Sequence, residues 1–385
     1  MSILGLLAVG FVLLASAGVV DGKSNPYIVK QAIFLGVAII PFVVAFFLDY
    51  HVWQKWPMLT LAAYLGVLAL LALVLVLPGQ DAHKGATRWI DFGIFQVQPS
   101  EIAKTALVIV LAVYLDRLRW KVELFWRGAV PVAAIFGTYA LLILKEPDFG
   151  STVTVGALSL AMMWMAGVKF WHIVAIALSG AVVVFPVLLQ NKNRMRRLLP
   201  LLPESLGNKI IEALDLPFDA ATDVKIKNAL YQKDQSIIAI QRGGLTGVGF
   251  NQSQQKYKYL PERHTDFIFA IGAEEWGLGL SVVLLALFIT LFVCGIMISL
   301  RAPDRLGQLI AAGVTFLIFL QAICNMGVVS GILPTKGLAL PFVSYGGTNL
   351  VMSLTSMGLL FNVGRKIPLP NQLRRSKISA VFNNN

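Results

Sequence analysis

Residues able to do chemistry gather in three short stretches of this chain. "YLPERHTDFIFAIGAEEWGLG" (259–279) carries His264 and Asp266 directly ahead of an apolar run, and Glu274 and Glu275 two turns further on. "QPSEIAK" (98–104) sets Glu101 and Lys104 three apart, where one helical face lets them pair. "KEPDFGS" (145–151) leaves Glu146 and Asp148 beside Pro147 at the end of another apolar run. A carboxylate at such a place can take a proton as a general base, and a cation can neutralise charge on a leaving group. Plainer readings stand beside these: a structural salt bridge for Glu101 and Lys104, and a helix N-cap for Asp148 and for Asp266. A cap does not account for Glu274. On a continuous helix it lies about 12 Å deeper than Asp266 and about 80° around the axis, with Glu275 on a different face. The simplest expectation is a helix that lines a polar cavity, with Asp266 where a substrate meets its mouth.

The elements that must position these groups are membrane spans. Of 385 residues, 57% are hydrophobic and only 14% charged, too apolar for an ordinary soluble globule. Apolar runs of roughly 18 to 22 residues cross a hydrocarbon core of about 30 Å. Ten are expected, near 2–20, 28–48, 57–77, 99–116, 128–145, 150–166, 171–189, 268–299, 307–330 and 343–364. Ala15-Ser16-Ala17 has the look of a signal-peptide cleavage site, but no basic residue precedes the first run, so the run is read as a span. The predicted fold is therefore all-α and polytopic. It comprises helices 1–7 in 1–189, an extracytoplasmic loop over 190–266, helices 8–10 in 267–364 and a basic cytoplasmic tail in 365–385. A charge at the centre of a span costs about 2.5 to 3.5 kcal/mol on insertion scales, which makes the charged stretches informative.

Orientation follows from the basic residues of short segments. With both termini cytoplasmic, the inner segments hold thirteen Lys and Arg, from Lys55 to Lys377, and the short outer ones six, from Lys23 to Lys336. This bias explains much of the net charge of +12 without nucleic acid, and an anionic lipid surface suffices as partner for the basic tail. The long loop places apolar residues at helical spacing in 206–218 and 224–240, predicting amphipathic helices at the outer membrane surface. Cys294 and Cys324 fall within spans and read as buried apolar residues. The four histidines show no ligand spacing. Outer-side cations are Arg88, Arg242, Lys256 and Lys336, with Lys104 available from below.

Five motifs in order, "RWIDFGIFQVQPSEIAK", "EPDFGS", "YQKDQSIIAIQRGGLTGVGF", "YLPERHTDFIFAIGAEEWG" and "GILPTKGLALPFVSYGGTNL", resemble the SEDS family of FtsW and RodA, which polymerises peptidoglycan glycan strands. The resemblance covers nearly the whole chain. "SQQKYKYLPE" and "PTKGLALP" are more similar to the division members than to the elongation members. Asn251-Gln252, Arg263 and Thr348-Asn349 depart from the usual pattern without removing a residue that the chemistry needs.

The resemblance implies that two lipid II molecules meet outside the bacterial cytoplasmic membrane and that undecaprenyl diphosphate leaves in one inverting displacement. One carboxylate base is enough for this, and Asp266 is the candidate; burial would raise its pKa and nearby cations would lower it. Lys336 and the Glu101 and Lys104 pair are supported by the resemblance. Arg88, Arg242, Lys256 and Ser344 complete the expected substrate- or diphosphate-binding set. Asp148, His264, Glu274 and Glu275 are expected as supporting groups. A divalent cation, Mg²⁺ or Mn²⁺, is compatible with a diphosphate leaving group, although no dedicated carboxylate cage is visible. Implied partners are a class B penicillin-binding protein and other division proteins at the septum. An elongation polymerase, a lipid II flippase and a division scaffold are the other readings of the same residues.

Overall fold

The computed structural model describes residues 1–18, 26–77, 88–93, 95–146, 148–190, 224–257, 260, 262–333 and 337–368. Lys336, the predicted 206–218 helix and the basic tail beyond 368 lie outside them.

Each of the ten apolar runs falls on a helix. In chain order the helices are α1 (Ser2–Ala17), α2 (Pro26–Phe47), a one-turn α3 (Val52–Lys55) between two runs, α4 (Pro57–Val76), α5 (Pro99–Leu118), α6 (Val130–Lys145), α7 (Phe149–Met165) and α8 (Phe170–Gln190). After the long connection come α9 (Val224–Gly243), α10 (Ile268–Arg301), α11 (Arg305–Val329) and α12 (Gly347–Arg365). A two-stranded antiparallel hairpin, β1 (Ile90–Asp91) and β2 (Gln96–Val97), precedes α5, with Ile90 opposite Val97. Among the described residues, five helical stretches are long and apolar enough to cross a membrane on length and composition alone: α2, α4, Phe125–Lys145, α10 and α11.

Local sequence sets many of the boundaries. Pro57 and Pro99 open α4 and α5, where a missing N–H costs nothing. Asp148 caps α7 by accepting from Ser151 N at 3.1 Å, as its position predicted, and Asp304 caps α11 by accepting from Gly307 N at 2.8 Å. Helix α11 is largely enclosed and packs against α5, α7, α10 and α12, while α12 lies along α2. Polar residues of α11 such as Thr315, Gln321 and Asn325 turn inward among buried apolar ones, and apolar side chains also cover the outward faces. Val282, Val283, Ile289, Val293 and Met297 of α10 are all exposed, the surface a lipid environment favours. Cys294 shares that outward face, contrary to the expectation of burial, and Cys324 is only partly covered.

Helix α10 is broken. Gly277 has φ +64°, and a Cβ there would lie 2.5 Å from Gly247 N and 2.6 Å from Leu245 O, so only glycine meets both the conformation and the approach. The broken turn finds its hydrogen bonds in the loop after α9. Val248 N donates to Glu274 O, Gly249 N to Glu275 O, and Leu278 N to Gly244 O, each at 3.0 Å. The loop after α9 therefore packs along α10, and α9 does not simply lie on a surface: Ser236 and Ala239 are buried, and Ser236 Oγ donates to Val329 O at the end of α11.

Candidate functional site

Asp266 precedes α10 without capping it. The N-cap residue is Phe267, and no side chain caps that end. The Asp266 carboxylate is instead directed at Gly337, where a Cβ would strike Oδ2. The backbone that presents it is held from two sides. Asn325 Nδ2, on α11, donates to Asp266 O at 2.8 Å and to Leu338 O at 2.6 Å. Ser344 Oγ donates to Thr265 O at 2.6 Å and accepts from Leu340 N at 2.8 Å, and Tyr345 N donates to His264 O at 2.9 Å. The segments 264–266 and 337–345 are thus laced together through main-chain atoms. Ser344 is nearly fully buried in this lacing, with its hydroxyl engaged by Thr265 O and Leu340 N.

Four carboxylates and a guanidinium act on one another at this end of the bundle. Burial, with help from Glu262 and Asp148, pushes the Asp266 carboxyl up to about 7, while Arg88 pulls it down. Glu146, one residue beyond α6, is pushed up to about 8 by burial and by Asp148, again against Arg88. Both Glu146 carboxyl oxygens are enclosed without a hydrogen-bond partner, and Arg88 Nε donates to the Glu146 main-chain oxygen at 3.3 Å. Asp148 also accepts from Gln98 Nε2 and Ser100 Oγ, each at 3.3 Å, which joins the head of α7 to that of α5. His264 stacks on Tyr27 with ring centroids 4.1 Å apart, and burial lowers its pKa.

The expected site residues divide into three places. Asp266, Arg88, Asp148, His264 and Ser344 come together at the mouth. Glu101 and Lys104 sit deeper, 2.7 Å apart and buried. Gln321 Nε2 and Asn349 Nδ2 donate to the other Glu101 oxygen at 3.4 and 3.1 Å. Asn349, one of the departures from the family pattern, thus serves this pair. The pair borders a small cleft, together with Thr105, Gln321, Ser353 and Ser356.

The third place corrects the expectation of a helix lining a cavity and of free cations above it. Lys256, fully buried, has its ammonium 3.3 Å from Glu275, and Arg242 lies 3.6 Å from Glu274. Because α10 starts after Asp266 and breaks at Gly277, Glu274 and Glu275 face the 242–257 segment. Lys256 and Arg242 are consumed in that contact.

Asn325, Gln98 and Ser100 were not singled out from sequence, because their partners, main-chain oxygens for Asn325 and the Asp148 carboxylate for Gln98 and Ser100, lie far along the chain. Glu146 had a signal, an acid next to a proline at the end of an apolar run.

The family described as cell cycle protein, which groups FtsW, RodA and SpoVE, matches residues 1–367. The probable peptidoglycan glycosyltransferase FtsW of Geobacter sp. strain M18 is 36% identical over 341 residues, 89% of this chain and 87% of that one. Stage V sporulation protein E of Bacillus subtilis strain 168 is 35% identical over 368 residues, 94% of both chains. A chain from a solved peptidoglycan synthase complex, described for its structural coordination of polymerization and crosslinking, superposes with a TM-score of 0.71 at 26% identity, covering 94% of this chain and 96% of that one. With matching motifs, matching length and a matching fold, the chain belongs to the FtsW/RodA/SpoVE family.

Proposed function

We propose that this chain is a peptidoglycan glycosyltransferase that polymerises lipid II into glycan strands during septal wall synthesis, with Asp266 as its base. The observation that carries this reading is a half-buried carboxylate that caps no helix, pushed up to about 7, with Arg88 acting on it. In the reaction the acceptor's sugar 4-hydroxyl attacks the donor's anomeric carbon and gives its proton to Asp266. The bond from that carbon to the diphosphate breaks, and undecaprenyl diphosphate leaves with the electron pair. A raised pKa suits this task, since a base poised near the working pH combines availability with proton affinity. Arg88 is the described cation placed to meet the diphosphate, and Lys336 is expected to join it from the segment before Gly337. Asp148 and His264 support the mouth.

Among the described residues no three His, Cys, Asp or Glu side chains form a group able to hold a metal. A divalent cation, Mg²⁺ or Mn²⁺, would accordingly arrive with the diphosphate and complete its coordination with water and one or two carboxylates.

The division assignment is supported by relatives named FtsW and by the sequence motifs. With ten spans, both termini in the cytoplasm and the loop before Asp266 outside, the mouth opens where lipid-linked saccharides would be joined. A class B penicillin-binding protein is the expected partner.

The test is glycan-strand formation from fluorescent lipid II in liposomes, comparing the wild type with Asp266→Asn, each alone and with the cognate transpeptidase. Polymer from the wild type only is the expected result. Polymer at the normal rate from a folded, inserted Asp266→Asn protein would remove Asp266 as the base.

A further inference from the structure

The proposed reaction leaves unused three of the most deeply buried charges among the described residues, Lys256, Glu274 and Glu275. Lys256 Nζ donates to Asn251 O at 2.8 Å, to Ser16 Oγ at 3.1 Å and to Asn251 Oδ1, and lies 3.3 Å from Glu275 Oε1. Glu275 accepts from Ser16 Oγ and from Ser253 N. Glu274 accepts from Ser253 Oγ and from the main-chain N–H of Gln254 at 3.0 Å and of Gln255 at 3.3 Å. Buried ion pairs add little to stability over an apolar replacement, because desolvation offsets the attraction, so stability alone does not account for this cluster.

What this cluster holds is one end of a short, rigid segment. Between Ile268 and the break at Gly277, α10 is a half-helix about 13 Å long, at 1.5 Å per residue. Asp266 stands immediately before its first turn. The near end is fastened by Asn325 and Ser344; the far end by Lys256, Ser253 and the 244–249 backbone. Helix α1 braces both, since Ser16 touches Glu275 while Arg263 Nε donates to Ala17 O at 3.0 Å.

We propose that the Lys256–Glu275 pair is a positioning device that sets the place of Asp266 from the far end of this half-helix, so that the 244–257 loop governs the base without touching substrate. The inference rests on Asp266 being the base. Any movement of the loop is transmitted along the half-helix, because the main-chain bonds at the break tie the two together.

The experiment uses the full chain in liposomes with fluorescent lipid II. Lys256→Met and the volume-conserving Glu275→Gln are compared with wild type and Asp266→Asn for kcat, KM and the pH dependence of kcat. In Lys256→Met, kcat is expected to fall about 10- to 100-fold, the range that a displacement of about 1 Å produces, with KM within about twofold. The acid limb should move to lower pH as Asp266 regains water, with Glu262, Asp148 and Arg88, the charged groups acting on it, left in place. Glu275→Gln should show the same signs with a smaller fall. An unmoved acid limb in both variants, with kcat either normal or reduced only in proportion to the folded fraction, overturns the positioning role alone. Full activity of Asp266→Asn overturns this role and the assignment of the base together.

Discussion

Gly337 leaves open the space that the Asp266 carboxylate occupies: a Cβ at position 337 would overlap Asp266 Oδ2. The two residues lie on different segments, laced by Asn325, Ser344 and Tyr345. Gly337→Ala is therefore expected to push the carboxylate aside and to lower polymerisation about 100-fold, the cost of misplacing a reacting group by about 1 Å. Rate measurements on lipid II, beside a melting curve that stays close to wild type, check this. A normal rate would mean that the carboxylate works from another rotamer.

The raised pKa of Asp266 has consequences of opposite sign for rate and stability. A base acts deprotonated, so the polymerisation rate should fall about tenfold per pH unit below about 7. For stability, the folded value lies above the model-compound value of 3.8, so the folded chain binds the extra proton between these limits. The stability from this carboxyl is fully present below about 4 and is lost as pH rises through about 7. Asp266→Asn should consequently melt higher than wild type at pH 8, with the difference shrinking at pH 5. Thermal unfolding at the two pH values reads it directly.

Arg88 opposes the rise at both Asp266 and Glu146. Removing its charge in Arg88→Gln should shift the acid limb of the rate profile upward, the reverse of the shift expected for Lys256→Met, and should also slow departure of the diphosphate. Arg88→Lys keeps the charge and should leave the limb near its wild-type position. Paired pH profiles of the two variants distinguish the electrostatic part from the hydrogen bond to the Glu146 carbonyl.

Much of this was legible in the sequence because it is written in residue type over a single run. Apolar length marks the helices, and an acid directly ahead of such a run marks Asp266 and Asp148. What was not legible depends on partners distant along the chain. The break at Gly277 exists because the backbone of 244–249 satisfies the broken turn, and no local pattern in "AEEWGLG" names that partner. For the same reason Glu274 and Glu275 read as cavity acids until the loop is seen to face them. Ser344 read as a ligand group until its hydroxyl is found between Thr265 O and Leu340 N. Cys294 faces outward because in a membrane protein the outside of a helix is apolar too, so hydrophobic type alone does not tell core from lipid face.

The Glu101 and Lys104 pair offers a separate test, because both groups are buried inside the bundle. Removing one charge leaves the other buried and unpaired, at a cost of about 3 to 5 kcal/mol, whereas replacing both with apolar groups of similar volume is often neutral. Glu101→Leu alone and Lys104→Met alone should thus each lower the melting temperature strongly, and the double variant should recover most of the loss. The recovery should be incomplete, since Gln321 and Asn349 would still lose the Glu101 oxygen to which both donate. Polymerisation by the double variant then separates two roles that stability alone conflates. Activity that returns with the melting temperature identifies a structural ion pair, and a stable but inactive protein identifies a charge that the reaction uses.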